Sequence, residues 1–253
     1  MSAIKIIFLN QKGGVGKTTS VVNLGASLAR KGKKVLLVDF DSQGNMTSSV
    51  SGNPKLPGTY EVVTGQVNAL DACQSSSMQN LYIIPGSIDI AGLNVELVDE
   101  DNREFFFKKT LAPLDEYYDY ILGDCPPSLG IVTINTLCWA QHVIIPMQCE
   151  YLAMEGLNLL MGTISNIKIA LNPNLNILGI LFTMYSKRTK LANEVVEDVS
   201  QFFQDKVFHT LIPRNVRLSE APSHGLPVIV YDASCAGTKA YIKFAEEVMS
   251  RVE

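Results

Sequence analysis

An α/β fold, with a mostly parallel twisted sheet covered by helices on both faces, is predicted by three observations. Apolar runs of strand length alternate with helical patterns along the whole chain, which is the signature of strand–helix–strand units. The strand runs are continuously apolar rather than alternating, as expected for strands buried on both faces. The first of them passes through a glycine-rich loop directly into a helix, a context in which such a loop has a defined job.

The elements follow in order. Residues 4–9, Ile-Lys-Ile-Ile-Phe-Leu, form a β-branched strand, and the alanine- and leucine-rich stretch after the loop reads as a helix ending near Arg30. Residues 34–38 are a second buried strand. A glycine-, proline- and serine-bearing loop is expected over 48–58. Further strands are expected at 81–84, 120–123, 142–147, 177–184, 207–212 and 228–230, and helices at 131–140, 154–170, 191–203 and 237–252. At 253 residues, 47% hydrophobic and 18% charged, the chain has enough apolar material for one well-buried core, so a single domain over 1–253 is expected. It contains no internal repeat and no low-complexity tract.

The loop itself, Gln11-Lys12-Gly13-Gly14-Val15-Gly16-Lys17-Thr18-Thr19, is built for phosphate. Successive backbone N–H groups of Gly13, Gly14, Val15, Gly16 and Lys17 can curl around an anion, with the positive end of a helix behind them. Lys17 is placed to reach the β- and γ-phosphates of a nucleotide, the Thr18 hydroxyl to ligate Mg²⁺, and Thr19 to contact phosphate. The pattern G-x-x-x-x-G-K-[ST] fails at one position, where Gln11 replaces the first glycine. Lys12 follows it. A cation at the loop entrance is too early to duplicate Lys17 and can serve a phosphate of its own chain or of a facing one. The fold is therefore expected to be of the P-loop NTPase type.

Two aspartates, Asp39 and Asp41, sit at the carboxyl end of the second strand, where ligands gather in open α/β sheets. Asp124 ends the strand that begins at Tyr120, and Gly123 interrupts its apolar run. Five cysteines are odd in number, widely spaced and without a C-x-x-C pair, which gives a zinc site or redox pair little support. Cys125 reads as a small buried residue. No signal-peptide layout and no apolar run near ~18 residues are found, so a cytoplasmic protein is expected.

The loop resembles the deviant Walker A motif of the ParA/MinD superfamily, and the resemblance extends over nearly the whole chain. Val38-Asp39-Phe40-Asp41-Ser42-Gln43-Gly44-Asn45, Asp124-Cys125-Pro126-Pro127-Ser128-Leu129, the segment from Gln148 to Leu157 and the segment from Ile212 to Ser223 carry it. The last two are similar to chromosomal ParA proteins of the Soj type. The resemblance implies an ATP-dependent sandwich dimer in which Lys12 reaches the partner's ATP. It implies that Asp41 positions the attacking water and that Asp124 reaches Mg²⁺ through a water. Asp39 is expected to support Mg²⁺ or the loop, and Pro213 and Asn215 to lie near the adenine. The sequence departs from the family pattern at Gly123, where a bulky aliphatic is usual and a small residue beside the phosphate loop is expected, and at Ser42 and Met46.

Non-specific double-stranded DNA and a ParB-type partner that stimulates slow hydrolysis are further implications. The chain carries a formal net charge of −4, so no bulk electrostatic attraction to DNA exists. Between Tyr185 and Lys243, however, 8 Lys+Arg stand against 6 Asp+Glu. By resemblance Arg188 and Arg217 contact DNA in the ATP-bound dimer, which would associate with the nucleoid. His209 and His224 are expected to be structural. The terminal helix has apolar spacing suited to docking on the body, and its mostly acidic charges disfavour a membrane-surface role. The alternatives are a superfamily ATPase that positions a cargo other than DNA, a redox or cluster-delivery ATPase, and a small-molecule kinase. Missing cysteine pairs argue against the second, and the lack of an apparent acceptor-binding insertion against the third.

Overall fold

The computed structural model describes residues 2–150 and 153–253. Tyr151 and Leu152 of the segment at 148–157 lie outside the described residues, as do the side chains of Ala153 and Glu155. Seven strands form one sheet: β1 (Ile4–Phe8), β2 (Val35–Asp39), β3 (Gln74–Ser75), β4 (Leu81–Ile84), β5 (Tyr120–Asp124), β6 (His142–Gln148) and β7 (Asn176–Thr183). Their order is β3-β4-β2-β5-β1-β6-β7, and every pairing is parallel except that of the short edge strand β3 with β4.

The helices are α1 (Lys17–Arg30), α2 (Asn45–Ser49), α3 (Thr59–Val63), α4 (Leu93–Glu96), α5 (Phe106–Thr110), α6 (Ile131–Trp139), α7 (Ala153–Ala170), α8 (Lys190–Phe203), α9 (Val216–Glu220), α10 (Val228–Tyr231) and α11 (Ala236–Val252). Alternation along each strand sends side chains to opposite faces. Ile7, Leu36, Val38, Ile121 and Val143 pack with Phe107, Leu137, Leu160 and Val195 on one side. Ile6, Phe8, Val35, Leu37 and Leu122 pack with Leu24, Leu28, Tyr241, Phe244 and Val248 on the other. Both faces are covered. This explains why the inner strands read as unbroken apolar runs.

Two expected strands do not form. Residues 207–212 run beside β7 and pair with it only intermittently, through Phe208 N–H to the Ile180 carbonyl at 3.0 Å and Ile212 N–H to the Phe182 carbonyl at 2.9 Å. Between them, the N–H groups of His209 and Thr210 donate instead to the Glu247 carboxylate of α11, at 2.8 and 3.0 Å. A side chain has taken the donors that a ladder would use. Residues 228–230 belong to a helical turn, because Pro227 sets its start and the Asn23 side chain caps it by accepting from Val228 N–H at 2.8 Å. Val228 and Ile229 are buried there, so packing overrides their β preference. The loop expected over 48–58 begins later, since α2 runs to Ser49.

The terminal helix docks as its spacing implied. Arg251 donates to the Leu178, Asp205 and Val207 carbonyls at 2.8–3.0 Å, and Glu253 accepts from Tyr120 Oη at 2.5 Å and pairs with Lys33 at 2.8 Å. No helix among the described residues is long and apolar enough to cross a membrane.

Candidate functional site

The phosphate loop joins β1 to α1 at the carboxyl end of the sheet, and three side chains hold it in shape: Asn10 of the same segment, Gln148 of β6 and Thr183 of β7. Asn10 donates to the Pro146 carbonyl at 2.7 Å and accepts from Lys12 N–H at 2.9 Å. Gln148 donates to the Gly14 carbonyl at 2.8 Å, and Thr183 Oγ1 donates to the Val15 carbonyl at 2.7 Å. Gly16 caps α1 with φ of 84°, a left-handed conformation that a side chain would strain. The loop is thus pre-shaped, with Val15 buried as its anchor and Gly13 and Gly14 exposed.

Lys17 and Thr18, on the first turn of α1, point into the site. The Lys17 side chain is largely buried, and its ammonium lies 3.4 Å from the Lys12 carbonyl, its own loop standing in for a phosphate. Thr18 Oγ1 donates to Asp124 Oδ2 at 2.5 Å. The other carboxylate oxygen, Asp124 Oδ1, is buried with no hydrogen-bond partner. Burial and the nearby Asp39 charge push the Asp124 carboxyl well above the usual carboxylate range. A buried carboxylate with an orphaned oxygen beside a threonine hydroxyl fits a hydrated divalent cation, which would restore its charge. Among the described residues no group of three His, Cys, Asp or Glu side chains could cage a metal. The fit is therefore to Mg²⁺ shared with phosphate oxygens, with Thr18 and Asp124 as the protein's contribution.

Asp39 and Asp41 take different parts. Asp39 is fully buried, and Oδ2 accepts from both the N–H and the Oγ1 of Thr47, at 2.9 and 2.7 Å, while Oδ1 accepts from Asp41 N–H at 3.2 Å. Burial pushes its carboxyl up to about 6. Both oxygens are taken up by the segment after β2, through Asp41 and Thr47. Asp41 is half-buried and accepts from Gln43 N–H at 3.0 Å. It lines a cleft of about 680 Å³ with Gly13, Lys17, Thr18, Thr19 and Pro127. The cleft brings together the loop, the segment after β2 and the segment after β5, which lie far apart in sequence.

A second cavity of about 170 Å³ adjoins this cleft and shares Gly16, Thr19, Met184 and Pro222 with it. Ile212, Pro213, Leu218 and Tyr241 give it an apolar side suited to a planar base, and Thr183, Arg214, Asn215 and Ser219 a polar one. Asn215 also caps α9, accepting from Arg217 N–H at 2.9 Å. The loop carrying Arg188 is tied to this region, because Tyr185 N–H donates to the Ile212 carbonyl and Arg214 N–H to the Tyr185 carbonyl, at 2.9 and 3.1 Å. Arg188 is exposed. Arg217 is exposed too, but pairs with Glu220 at 2.7 Å and Asp232 at 3.4 Å. Beyond the start of α11 a groove of about 620 Å³ is lined by His209, Lys239 and Lys243 and by no acidic residue.

Residues of the site not marked as functional by the sequence include Asn10, Thr47, Gln148, Thr183, Met184 and Tyr241. Thr183 at the carboxyl end of β7 and Gln148 at that of β6 carried a usable signal, their position. Gly123 stands elsewhere than expected. A Cβ there would meet Phe40 Cε2 at 2.7 Å, so the missing side chain makes room for Phe40 rather than for the phosphate loop. Cys125 is buried with its thiol donating to Thr136 Oγ1 at 3.4 Å, and burial pushes it up to about 12, which makes it a poor cluster ligand.

A family model described as an AAA domain matches residues 3–177. The chain is 55% identical over 246 residues to the chromosome-partitioning ATPase Soj of Treponema pallidum, with 97% of each chain covered. The chain belongs to the Soj-type ParA proteins of the ParA/MinD superfamily. It is also 48% identical over 246 residues to the sporulation initiation inhibitor protein Soj of Bacillus subtilis, covering 96% of this chain and 97% of the relative. Among solved structures, a Mycobacterium smegmatis protein described as cobyrinic acid a,c-diamide synthase, with a bound ATP analogue and magnesium, aligns with a TM-score of 0.87 at 37% identity, over 96% of this chain and 93% of the other. In the ParA reading, the deviant Walker A loop is residues 11–19, the first switch follows β2 and the second follows β5.

Proposed function

We propose that this protein is a ParA-type partition ATPase, one unit over 1–253, that hydrolyses ATP with Mg²⁺, dimerises with ATP and binds DNA while dimeric. The observation that carries this reading is the continuous cleft in which the phosphate loop faces Asp41 while its far end opens into the apolar cavity beside Pro213 and Asn215. Triphosphate and base have adjoining places of the right chemistry. The Soj relatives support partition as the process, and higher identity to them than to the diamide synthase favours it over an amide-forming enzyme.

The division of labour follows from position. The loop amides and Lys17 hold the β- and γ-phosphates, and Thr18 and Asp124 hold the cation. Mg²⁺, when bound, neutralises charge on the phosphate oxygens. Asp41 orients a water for in-line attack on the γ-phosphorus, the bond to the bridging oxygen breaks, and ADP and phosphate leave. Lys12, exposed at the loop mouth and paired there with Glu150, would be offered to the phosphate of a facing copy. Little covalent chemistry is asked of the protein, so positioning and charge set the rate. A ParB-type partner that completes this positioning would accelerate a slow reaction.

DNA binding is assigned to Arg188, in the loop after β7, and Arg217, in α9, on segments that meet at Tyr185 and Pro213. The groove with His209, Lys239 and Lys243 extends the cationic surface past α11. A dimer doubles this surface, which lets a chain of net negative charge bind polyanion locally. Action would then take place in the cytoplasm, on the nucleoid.

The test is DNA binding by the purified protein at fixed moderate salt with ATP, with ADP and without nucleotide, alongside Lys12→Ala and Arg217→Glu. Binding that requires ATP and is lost in both variants is expected. ATP-dependent dimerisation without DNA binding would overturn the DNA assignment in favour of a cargo-positioning ATPase.

A further inference from the structure

Phe40 stands between the two aspartates of the first switch, and its side chain is fully buried. Its ring turns back over β5 into the space above Gly123, where a Cβ would meet Phe40 Cε2 at 2.7 Å, Phe40 Cδ2 at 3.1 Å and Ile7 Cγ2 at 3.1 Å. On its other sides the ring stacks on Phe107 of α5, with centroids 5.0 Å apart and planes 13° apart, and meets the edge of Trp139 of α6 at 5.7 Å. Backbone contact continues the link, since Phe40 N–H donates to the Asp124 carbonyl at 3.1 Å. One ring therefore touches the strand that ends in Asp124, the helix that follows the second switch, and the chain on either side of which Asp39 and Asp41 hang.

We infer that Phe40, seated in the notch left by Gly123, is a positioning residue for hydrolysis: it sets Asp41 relative to Asp124 and couples the two switches. The inference rests on the reading of Asp41 as the residue that orients water. Its physical basis is the close packing of interiors, in which a ring locked on three sides moves as a unit or not at all. Any side chain at 123 must displace the ring, because its neighbours Ile7, Phe107 and Trp139 are themselves buried. With Phe107 and Trp139 packed on its other sides, a displaced ring presses on its own backbone, and so on Asp41, one residue away. Phosphoryl transfer is steeply sensitive to such displacements, while nucleotide affinity is supplied mainly by the loop on the far side of the site. The signature is thus a fall in kcat with KM preserved.

Four variants test it: Gly123→Val, Phe40→Leu, the double variant, and Asp41→Ala. For Gly123→Val we expect kcat for ATP to fall by about tenfold or more with KM within about threefold of the starting protein. Shrinking the ring should relieve the clash, so Phe40→Leu in the Gly123→Val background should restore kcat to within about threefold. An unchanged kcat in Gly123→Val, or a double variant no faster than Gly123→Val, would overturn the inference. Should Gly123→Val fail to fold, the comparison is Phe40→Leu against the double variant. There the filled notch should make the double variant the faster of the two, and equal rates would overturn the inference. Asp41→Ala separates the two levels, because an unchanged kcat in that variant would remove the underlying role of Asp41 whatever the other three do.

Discussion

The ammonium of Lys12 is paired with the carboxylate of Glu150 in the same chain, at the mouth of the phosphate loop and with both side chains about half exposed. In a single chain the loop-entrance lysine is therefore held by the residue that follows β6, and it must leave that partner to meet the phosphate of a facing copy. Exposed pairs of this kind contribute only ~0–1 kcal/mol. Two such pairs break per dimer, so Glu150→Gln should strengthen ATP-dependent dimerisation by no more than about thirtyfold, read by sedimentation, whereas Lys12→Ala should abolish it. A large gain from Glu150→Gln would mean that the pair is a lock rather than a resting place.

Removing the buried carboxylate of Asp124 should separate stability from function. Asp124→Asn removes the charge whose burial is costly, so the nucleotide-free variant should melt no lower than the starting protein. The stabilisation conferred by ATP with Mg²⁺ should be lost and kcat should fall on the order of a hundredfold. Thermal melts with and without ligand check both halves.

Asp39 makes stability depend on pH in a stated direction. Its carboxyl is raised from 3.8 to about 6 in the folded protein, so the folded state holds this proton where the unfolded chain has released it. The contribution is fully present below 3.8 and is lost as pH rises through about 6. The loss is at most ~3 kcal/mol. Asp39→Asn cannot titrate, so the urea midpoint at pH 7 relative to that at pH 4 should be higher in that variant than in the starting protein.

Thr183 ties β7 to the phosphate loop with one hydroxyl, which contacts the Val15 carbonyl at 2.7 Å and the Met147 carbonyl at 3.2 Å. Thr183→Val keeps the shape and removes the donor. It should cost about 1–3 kcal/mol of stability and weaken ATP binding, measured by denaturant titration and by calorimetry. Intact affinity would show that the loop holds its shape without β7.

On DNA the two arginines should differ. Arg217 must give up Glu220 and Asp232 to meet a phosphate, whereas Arg188 has no ion-pair partner among the described residues. Arg188→Ala should therefore weaken binding of the ATP-bound protein more than Arg217→Ala, equally for unrelated sequences, and lower the salt slope by about 1 per lost contact. Binding isotherms across a salt series on two unrelated duplexes decide it.

Much of this was legible in the sequence because it depends on short stretches of chain. A glycine loop between a strand and a helix carries its phosphate chemistry within nine residues, and the inner strands announce themselves by apolar runs that only burial on two faces explains. The strands expected at 207–212 and 228–230 failed for the opposite reason. Their local preference for β structure was real, but Glu247, 37 or 38 residues further on, takes the amides of the first, and Asn23 caps the second as a helical turn from 205 residues away.

By itself the sequence determined the α/β class, the phosphate loop and the acidic residues at the strand ends, since each is written in spacing and residue type, and its motifs carried the resemblance to the family. Tertiary structure alone decided that Asp39 holds Thr47 of α2, that Lys12 rests on Glu150, that Thr183 holds Val15, and that Gly123 lacks a side chain for the sake of Phe40. Those assignments depend on which side chains the sheet order brings together. Parallel strands joined by long crossovers make neighbours of residues far apart along the chain, and no pattern within a segment carries that information.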